Sequence, residues 1–156
     1  MKNFSISFVA IFFIAISALA VPPTPNPQMS PGGMCNTEDP HWEEFRYQER
    51  IPYCKRKVSS SLKRRVYEAY GIPSNCRKHY TIDHIVPLSI GGNNGPENLW
   101  PEHKSIKRTR YNLEYELYLA LRDARISQQQ AVETILRAKF NPVFPPNFAP
   151  SPLCPN

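Results

Sequence analysis

The pattern of apolar and polar positions predicts a helix in the first half of the chain. Between Ser59 and Gly71, apolar residues return every three or four positions, so they share one face of a helix. Serine suits the N-cap of this helix, and glycine suits the left-handed position after its last turn. The apolar positions are Leu62, Val66, Ala69 and Tyr70.

The same pattern predicts two helices in the second half of the chain. Leucines one turn apart indicate an amphipathic helix over residues 106–121. Farther on, Ser127 and Gln130 match a capping box, and the helix that follows ends by Asn141. The apolar positions of these two helices are Leu113, Leu117, Leu121, Ala131, Val132, Ile135, Leu136 and Phe140.

The centre of the chain has a strand-and-turn pattern. Residues 80–88 are β-formers interrupted by one polar pair, and residues 91–96 are almost all turn formers. A short second strand follows at 98–100, and we expect Pro101 to end it, because proline has no N–H to give to the ladder. From about Lys104 the pattern becomes helical, so the order is strand, loop, strand, helix.

Residues 37–53 mix aromatic and charged side chains without a clear period. We expect a short helix that opens near Asp39-Pro40, where Asp suits the cap and Pro the first turn. The aromatic side chains of this segment either pack on the core or stack on nucleic-acid bases, and packing is the more common role.

These elements predict an α+β fold in one small domain, in which a two-stranded hairpin and its helix form a unit flanked by further helices. Residues 1–20 read as a secretory signal, since Lys2 precedes an apolar run and a small-residue cleavage site. Residues 21–34 form a proline-rich leader, expected to be extended and mobile, and residues 142–156 a proline-rich tail. The folded domain is therefore expected over 35–141, in a secreted or periplasmic protein that keeps no membrane segment after signal cleavage.

The chain contains four cysteines, and an even number in an exported protein favours two disulfides. Sequence alone leaves three pairings open. We prefer Cys54–Cys76, which brackets the first predicted helix, together with Cys35–Cys154, which ties the two tails. Zinc binding is the alternative, but the chain has no Cys-x-x-Cys pair.

Candidate chemistry is concentrated in residues 80–107. His84 is a candidate general base, because imidazole accepts a proton near neutral pH, and Asp83 offers carboxylate oxygen to a divalent ion. Neighbouring residues of a regular strand face opposite sides, so a shared site requires a local distortion at this pair. Asn98 is a candidate to orient the His84 ring or to bind the metal, and His103 is a candidate second ligand.

The sequence Asp83-His84-Ile85-Val86-Pro87-Leu88, followed by Gly91-Gly92 and Asn98-Leu99-Trp100-Pro101, resembles the HNH endonuclease family in its compact branch. The resemblance covers about residues 60–140. It implies a ββα-metal catalytic unit in which Asp83 binds one divalent ion (Mg²⁺, with Mn²⁺ or Zn²⁺ as alternatives), His84 is the base and Asn98 the third signature residue. It also implies cleavage that leaves a 5′ phosphate, and it allows Glu114 a supporting role. The family's last histidine commonly follows the asparagine at a longer distance than His103 does.

Removing residues 1–20 lowers the net charge only from +6 to +5, an excess with the sign needed to approach phosphates. We expect a monomeric endonuclease of low sequence specificity that cuts DNA rather than RNA, and an inhibitor protein is a possible further partner. The alternatives are a non-catalytic nucleic-acid-binding module on the same fold and a cationic, disulfide-tied extracellular protein that binds other proteins. The candidate phosphate-binding residues are Lys104, Lys107, Arg108, Arg110, Arg64 and Arg65.

Overall fold

The chain adopts an α+β fold in a computed structural model that describes residues 24–144 and residue 148. The predicted secretory signal lies outside these residues, as do all but a few residues of the predicted C-terminal tail. No helix within the described part is long and apolar enough to cross a membrane. The elements, in chain order, are β1 (Trp42–Arg46), β2 (Ile51–Cys54), α1 (Ser60–Ala69), β3 (Tyr80–His84), β4 (Leu99–His103), α2 (Lys104–Arg108), α3 (Leu113–Arg122) and α4 (Gln128–Phe140).

Strands β1 and β2 form an antiparallel hairpin where the sequence predicted a short helix, so that prediction is wrong. The Asp39 carboxylate accepts a hydrogen bond from the backbone N–H of His41, two residues on, which closes a local turn instead of capping a helix. At the tip of the hairpin, Tyr47 and Arg50 both have positive φ, as a tight connection requires. The aromatic residues of this segment that were candidates for stacking on bases, such as Trp42, Phe45 and Tyr53, therefore lie in the hairpin of β1 and β2.

The caps of two predicted helices are confirmed. The Ser59 hydroxyl accepts from the backbone N–H of Leu62 at the start of α1, and Gly71 after that helix has φ 68°. At α4 both halves of the capping box form between Ser127 and Gln130. Because these signals satisfy backbone groups locally, neighbouring residues alone were sufficient to predict them.

The single helix predicted over 106–121 is wrong, because the structure divides it into α2 and α3. The hydroxyl of Thr109 donates to the carbonyl of Ile106 at 2.7 Å and so competes for a backbone acceptor at the end of α2. The side chain of Arg110 contacts Glu102 of the preceding strand, and α3 begins only at Leu113. The leucine spacing was read correctly for α3, but the break depends on contacts from outside the helix.

Strands β3 and β4 form the second hairpin, and β4 continues past Pro101, contrary to the prediction. The backbone N–H of Ile85 donates to the Asn98 carbonyl at 2.7 Å, just beyond the paired strands. Hydrogen-bonded and non-hydrogen-bonded pairs alternate along an antiparallel ladder, so the Ile82–Pro101 pair falls at a non-hydrogen-bonded position. Proline fits there because no N–H is needed from it.

The main core lies between the second hairpin's loop and the C-terminal helices. Helices α3 and α4 pack on the turn over 88–90, and β2 closes one side. The buried residues of this cluster are Ile51, Val86, Ile90, Leu117, Leu121, Ala131 and Ile135. A smaller cluster of Ile72, Cys76 and Tyr80 lies under α1 and the start of β3.

Residues 24–34 pack on the domain, so the expected mobile leader is wrong for this stretch. Ser30 is 1% exposed, and its hydroxyl donates to the Leu99 carbonyl at 2.7 Å while accepting from the Tyr70 hydroxyl at 3.0 Å. Met34 bridges to Gly92 in the central loop. The segment therefore joins α1 to β4.

The disulfide Cys35–Cys54 corrects both preferred pairings. It links the chain before β1 to the end of β2, with the two Cα atoms 5.8 Å apart. Cys76 is also disulfide-bonded, and Cys154 lies outside the described residues. The preferred pairings failed because the hairpin of β1 and β2, which the sequence did not predict, brings Cys54 next to Cys35.

The packing of residues 24–34 makes Ser30→Ala a test of that segment. The substitution removes the donor to the Leu99 carbonyl and the acceptor of the Tyr70 hydroxyl, so we expect a loss of about 1–3 kcal/mol in the free energy of unfolding. Urea unfolding of the chain from residue 24 measures it, with the exposed Ser74→Ala as the control. Equal stability of both variants would mean that the segment is not part of the folded unit.

Candidate functional site

The second hairpin separates the predicted site residues onto two faces. Strand pairing sets Asp83 opposite Trp100 and Thr81 opposite Glu102, so Asp83 and Glu102 share one face. His84 pairs with Leu99 on the other face. The site expected to contain Asp83 and His84 together is therefore divided by the strand, and each residue has its own set of partners.

Both carboxylate oxygens of Asp83 are held by ammonium groups. Lys107 of α2 donates to Oδ1 at 2.9 Å, and Lys139 of α4 donates to Oδ2 at 3.1 Å. Burial alone would raise the pKa of Asp83, but Lys139 and Lys107 outweigh it and hold the pKa below its ordinary value. Asp83 is therefore ionised and doubly paired.

Lys139 is completely buried although it carries a charge. Besides Asp83, its ammonium contacts Glu114 Oε1 at 3.0 Å and the backbone carbonyl of His84. These three oxygens come from β3 and α3, so the lysine links the C-terminal helix to the hairpin and to the helix before it. A buried ammonium with three oxygen partners satisfies its donors.

Glu102 extends this cluster along the same face. Its side chain is 0% exposed and pairs with Arg110, while Oε2 lies 3.8 Å from Lys107 Nζ. Burial and the neighbouring Asp83 carboxylate raise the pKa of Glu102 above its ordinary value. The face thus combines three acidic side chains, Asp83, Glu102 and Glu114, with three basic ones, Lys107, Lys139 and Arg110.

His84 is 3% exposed and has a different pair of neighbours. Arg56 Nη2 lies 3.2 Å from Nδ1, and Asn94 Oδ1 lies 3.3 Å from Nε2. Arginine only donates, so Nδ1 is the acceptor, and Nε2 then carries the proton and donates to Asn94. Burial and the Arg56 guanidinium lower the pKa of His84 to about 4, so the ring is neutral at neutral pH.

Asn94 links His84 to the backbone of the residues that follow β2. Its Oδ1 also accepts from the backbone N–H of Lys57 at 3.1 Å, and its Nδ2 donates to the Lys55 carbonyl at 2.9 Å. The asparagine is 4% exposed, so these contacts are shielded from water. A turn residue of the central loop thereby brings Arg56 to the imidazole.

The Asn98 side chain binds the backbone of the loop between β3 and β4. Its Oδ1 accepts from the backbone N–H groups of Gly33 and Val86, at 3.1 and 2.8 Å. Its Nδ2 donates to the carbonyls of Val86 and Asn93, both at 2.9 Å. With these four hydrogen bonds the amide is saturated, and the contacts fix the loop between β3 and β4.

The glycine pair of the signature serves the same loop. Gly91 has φ 97°, a conformation that side chains disfavour. At Gly92 a Cβ would lie only 1.9 Å from the Val86 carbonyl oxygen, so the backbone crosses too closely for any other residue. The loop that carries Asn94 and Asn98 depends on both positions.

His103 lies apart from Asp83, on the opposite face of the hairpin. Its ring packs edge-on against Tyr80, with centroids 5.0 Å apart, and is stacked 6.4 Å from His79. Nδ1 accepts from the backbone N–H of Ser105 and so caps α2. The prediction of a helix-entrance histidine is confirmed, but the structure does not bring His103 to Asp83.

Some of the predicted phosphate-binding side chains are engaged by other groups of the protein, and others are exposed to solvent. Lys107 and Arg110 are engaged by Asp83 and Glu102, and Lys104 donates to the Lys78 carbonyl. Arg64 lies 3.9 Å from Glu68 on the same helix. Arg65 and Arg108 are exposed.

The side chains around Asp83 do not fit the divalent ion that the resemblance implies. Both oxygens of Asp83 accept from ammonium groups, and the cluster already pairs three acidic side chains with three basic ones. Among residues 24–144 and 148, no group of three or more His, Cys, Asp or Glu side chains is spaced to hold a metal. A doubly charged ion would add uncompensated charge to a buried cluster.

Sequence reasoning missed Lys139, Glu102, Arg56 and Asn94 as members of these clusters. One signal was available: Lys139 follows Ala131 and Ile135 at intervals of four, so it lies in the buried stripe of α4. A lysine in such a stripe requires a buried acidic partner. The contact between Arg56 and His84 spans 28 positions and left no local signal.

No family model, no curated protein and no solved structure matches this chain.

Asn98→Ala tests the structural role of the amide. It removes four hydrogen bonds and leaves buried backbone groups without partners, so we expect a loss of about 3–5 kcal/mol in the free energy of unfolding. Urea unfolding gives this value. Asn112→Ala is the matched control, because Asn112 is exposed and its side chain caps no helix. A loss below about 1 kcal/mol would contradict the assignment.

The lowered pKa of His84 predicts a dependence of stability on pH. The pKa of this histidine is ordinarily 6.5 and falls to about 4 on folding, so between these values the unfolded chain binds a proton that the folded one does not. The wild type should therefore lose about 2 kcal/mol between pH 7 and pH 5 that His84→Asn does not lose. Urea unfolding of both proteins at each pH measures the difference, and identical pH dependence would contradict it.

Proposed function

We propose that this protein is an exported nuclease that hydrolyses phosphodiester bonds of nucleic acid, with His84 as the general base. The observation that supports this proposal is the arrangement of His84 between Arg56 and Asn94. One ring nitrogen is fixed as a donor by Asn94, and the lone pair of the other contacts a guanidinium, the group best suited to bind phosphate. A proton acceptor and a phosphate-binding group thus lie next to each other.

In the proposed reaction a substrate phosphate binds Arg56 and draws the guanidinium away from Nδ1 of His84. The freed lone pair accepts a proton from water, whose oxygen attacks phosphorus in line. The bond to the 3′ oxygen breaks, the leaving oxygen takes a proton from solvent, and the product keeps a 5′ phosphate. Arg56 stabilises the negative charge on the phosphoryl oxygens as it develops. Because Asp83 is engaged by two lysines, no step of this reaction uses a metal ion held by Asp83.

The charge distribution supports approach of a polyanion. Lys55, Arg56 and Lys57 are consecutive and exposed, and they follow β2 directly beside the loop that holds His84. Such a run attracts phosphate groups through a salt-dependent field. DNA is the substrate that we propose, and RNA is the comparison that tests the choice.

A second candidate is a nucleic-acid-binding module that does not cleave. The observation that favours it is the double engagement of Asp83, because a carboxylate neutralised by Lys107 and Lys139 serves the fold without serving a reaction. In that case Arg56 binds phosphate and His84 only positions it. Cleavage assays distinguish the two candidates.

Cleavage of supercoiled plasmid tests the nuclease. The chain from residue 21 onward, with its disulfides formed, should nick the plasmid, and His84→Asn should reduce the rate by about 100-fold to 10,000-fold, as expected for loss of a general base. Arg56→Ala should weaken both binding and cleavage, and Arg56→Lys should restore part of the binding.

His41→Asn is the matched control and should cleave like the wild type, because His41 contacts Asp39 and not the loop that holds His84. A wild-type rate in His84→Asn would remove this residue as the base. A folded wild type that binds DNA but cleaves neither plasmid, single-stranded DNA nor RNA would favour the binding module.

A further inference from the structure

The oxygens around Lys139 form a cation site that is already filled. The ammonium has Asp83 Oδ2 at 3.1 Å and Glu114 Oε1 at 3.0 Å, with the His84 carbonyl as a third partner. Carboxylate and carbonyl oxygens are also the ligands that Mg²⁺ and Mn²⁺ prefer. The same oxygens would suit a divalent ion if the ammonium were absent.

Burial shows that this arrangement is built into the fold. Lys139 is 0% exposed and Asp83 is 5% exposed, so the lysine is not a surface side chain that happened to bend inward. The helix that carries it is fixed by its neighbours Ala131 and Ile135, both 0% exposed. The ammonium therefore cannot leave its partners unless α4 moves or the stem of the side chain folds back.

A second lysine, half-exposed, also contributes to the charge around Asp83. Lys107 holds Oδ1 of Asp83 and lies 3.8 Å from Oε2 of the buried Glu102. Each oxygen of Asp83 therefore already has an ammonium partner. Repulsion from two ammonium groups within hydrogen-bond distance of the carboxylate opposes a divalent ion there.

We propose that the Lys139 ammonium takes the place of a divalent ion between Asp83 and Glu114, so that the chain supplies its own cation. The wild-type protein then binds no Mg²⁺ or Mn²⁺ at these carboxylates. Removing the ammonium while keeping the length of the side chain, as in Lys139→Met, opens a site for the ion. This inference concerns ion binding and holds whether or not the protein cleaves nucleic acid.

Calorimetric titration with MnCl₂ and thermal unfolding with and without the ion test the proposal. The wild type should show no saturable binding and no shift in Tm. Lys139→Met should bind Mn²⁺ and gain roughly 8–10 °C in Tm at an ion concentration about 100 times its Kd. The double variant with Asp83→Asn should lose this gain. Lys63→Met, at an exposed lysine of α1, is the matched control and should behave like the wild type.

Each outcome decides the proposal. Saturable binding by the wild type that Asp83→Asn abolishes would overturn it, and this arm needs no Lys139 variant. A folded Lys139→Met that binds no ion would overturn it too, whereas folding of that variant only with Mn²⁺ would support it. If Lys139→Met stays unfolded in both conditions, the wild-type titration alone decides.

A last experiment, plasmid cleavage in the presence of a chelator, depends on the proposed nuclease activity. Plasmid cleavage by the wild type should persist in EDTA at its full rate, and loss of cleavage on chelation would contradict the inference. Absence of cleavage under every condition would instead count against the nuclease and leave the calorimetric result intact.

Discussion

The buried contact between Lys139 and Asp83 is the interaction on which the rest of the structure depends. It joins the last helix to the first strand of the second hairpin, and through Glu114 it also includes the helix between them. Removing one partner of a buried ion pair typically costs about 3–5 kcal/mol, because the other charge is left without compensation. A buried ion pair stabilises a small domain only when the hydrogen-bonding groups of its members have partners. The ammonium of Lys139 has three N–H donors and three oxygen partners, so it meets this condition.

The second hairpin places the network of ion pairs on one face and the candidate general base on the other. On one face, carboxylates and basic side chains neutralise each other, and on the other, His84 lies neutral between Arg56 and Asn94. The Asn98 amide maintains this division by binding four backbone groups of the loop between the strands. Of the signature residues, Asn98 therefore holds the loop, whereas Asp83 and His84 lie on opposite faces of the hairpin.

Local signals were sufficient for part of this fold. The caps at Ser59 and Ser127 and the α+β class followed from local patterns, and the presence of a disulfide followed from the number of cysteines. The first hairpin, the break before Leu113 and the pairing Cys35–Cys54 did not, because each depends on contacts between distant segments. In the candidate site, Asp83 and His84 were predicted from their residue types. Lys139 could have been predicted only from the fact that a charged residue lies in the buried stripe of α4, where it requires an acidic partner.

The most direct test is a crystal structure of the wild type grown in MnCl₂, with data collected at the manganese absorption edge. We expect no anomalous peak between Asp83 and Glu114, and we expect Lys139 Nζ within hydrogen-bond distance of both carboxylates. A manganese peak at that position, with the ammonium withdrawn, would contradict the claim that the chain supplies its own cation.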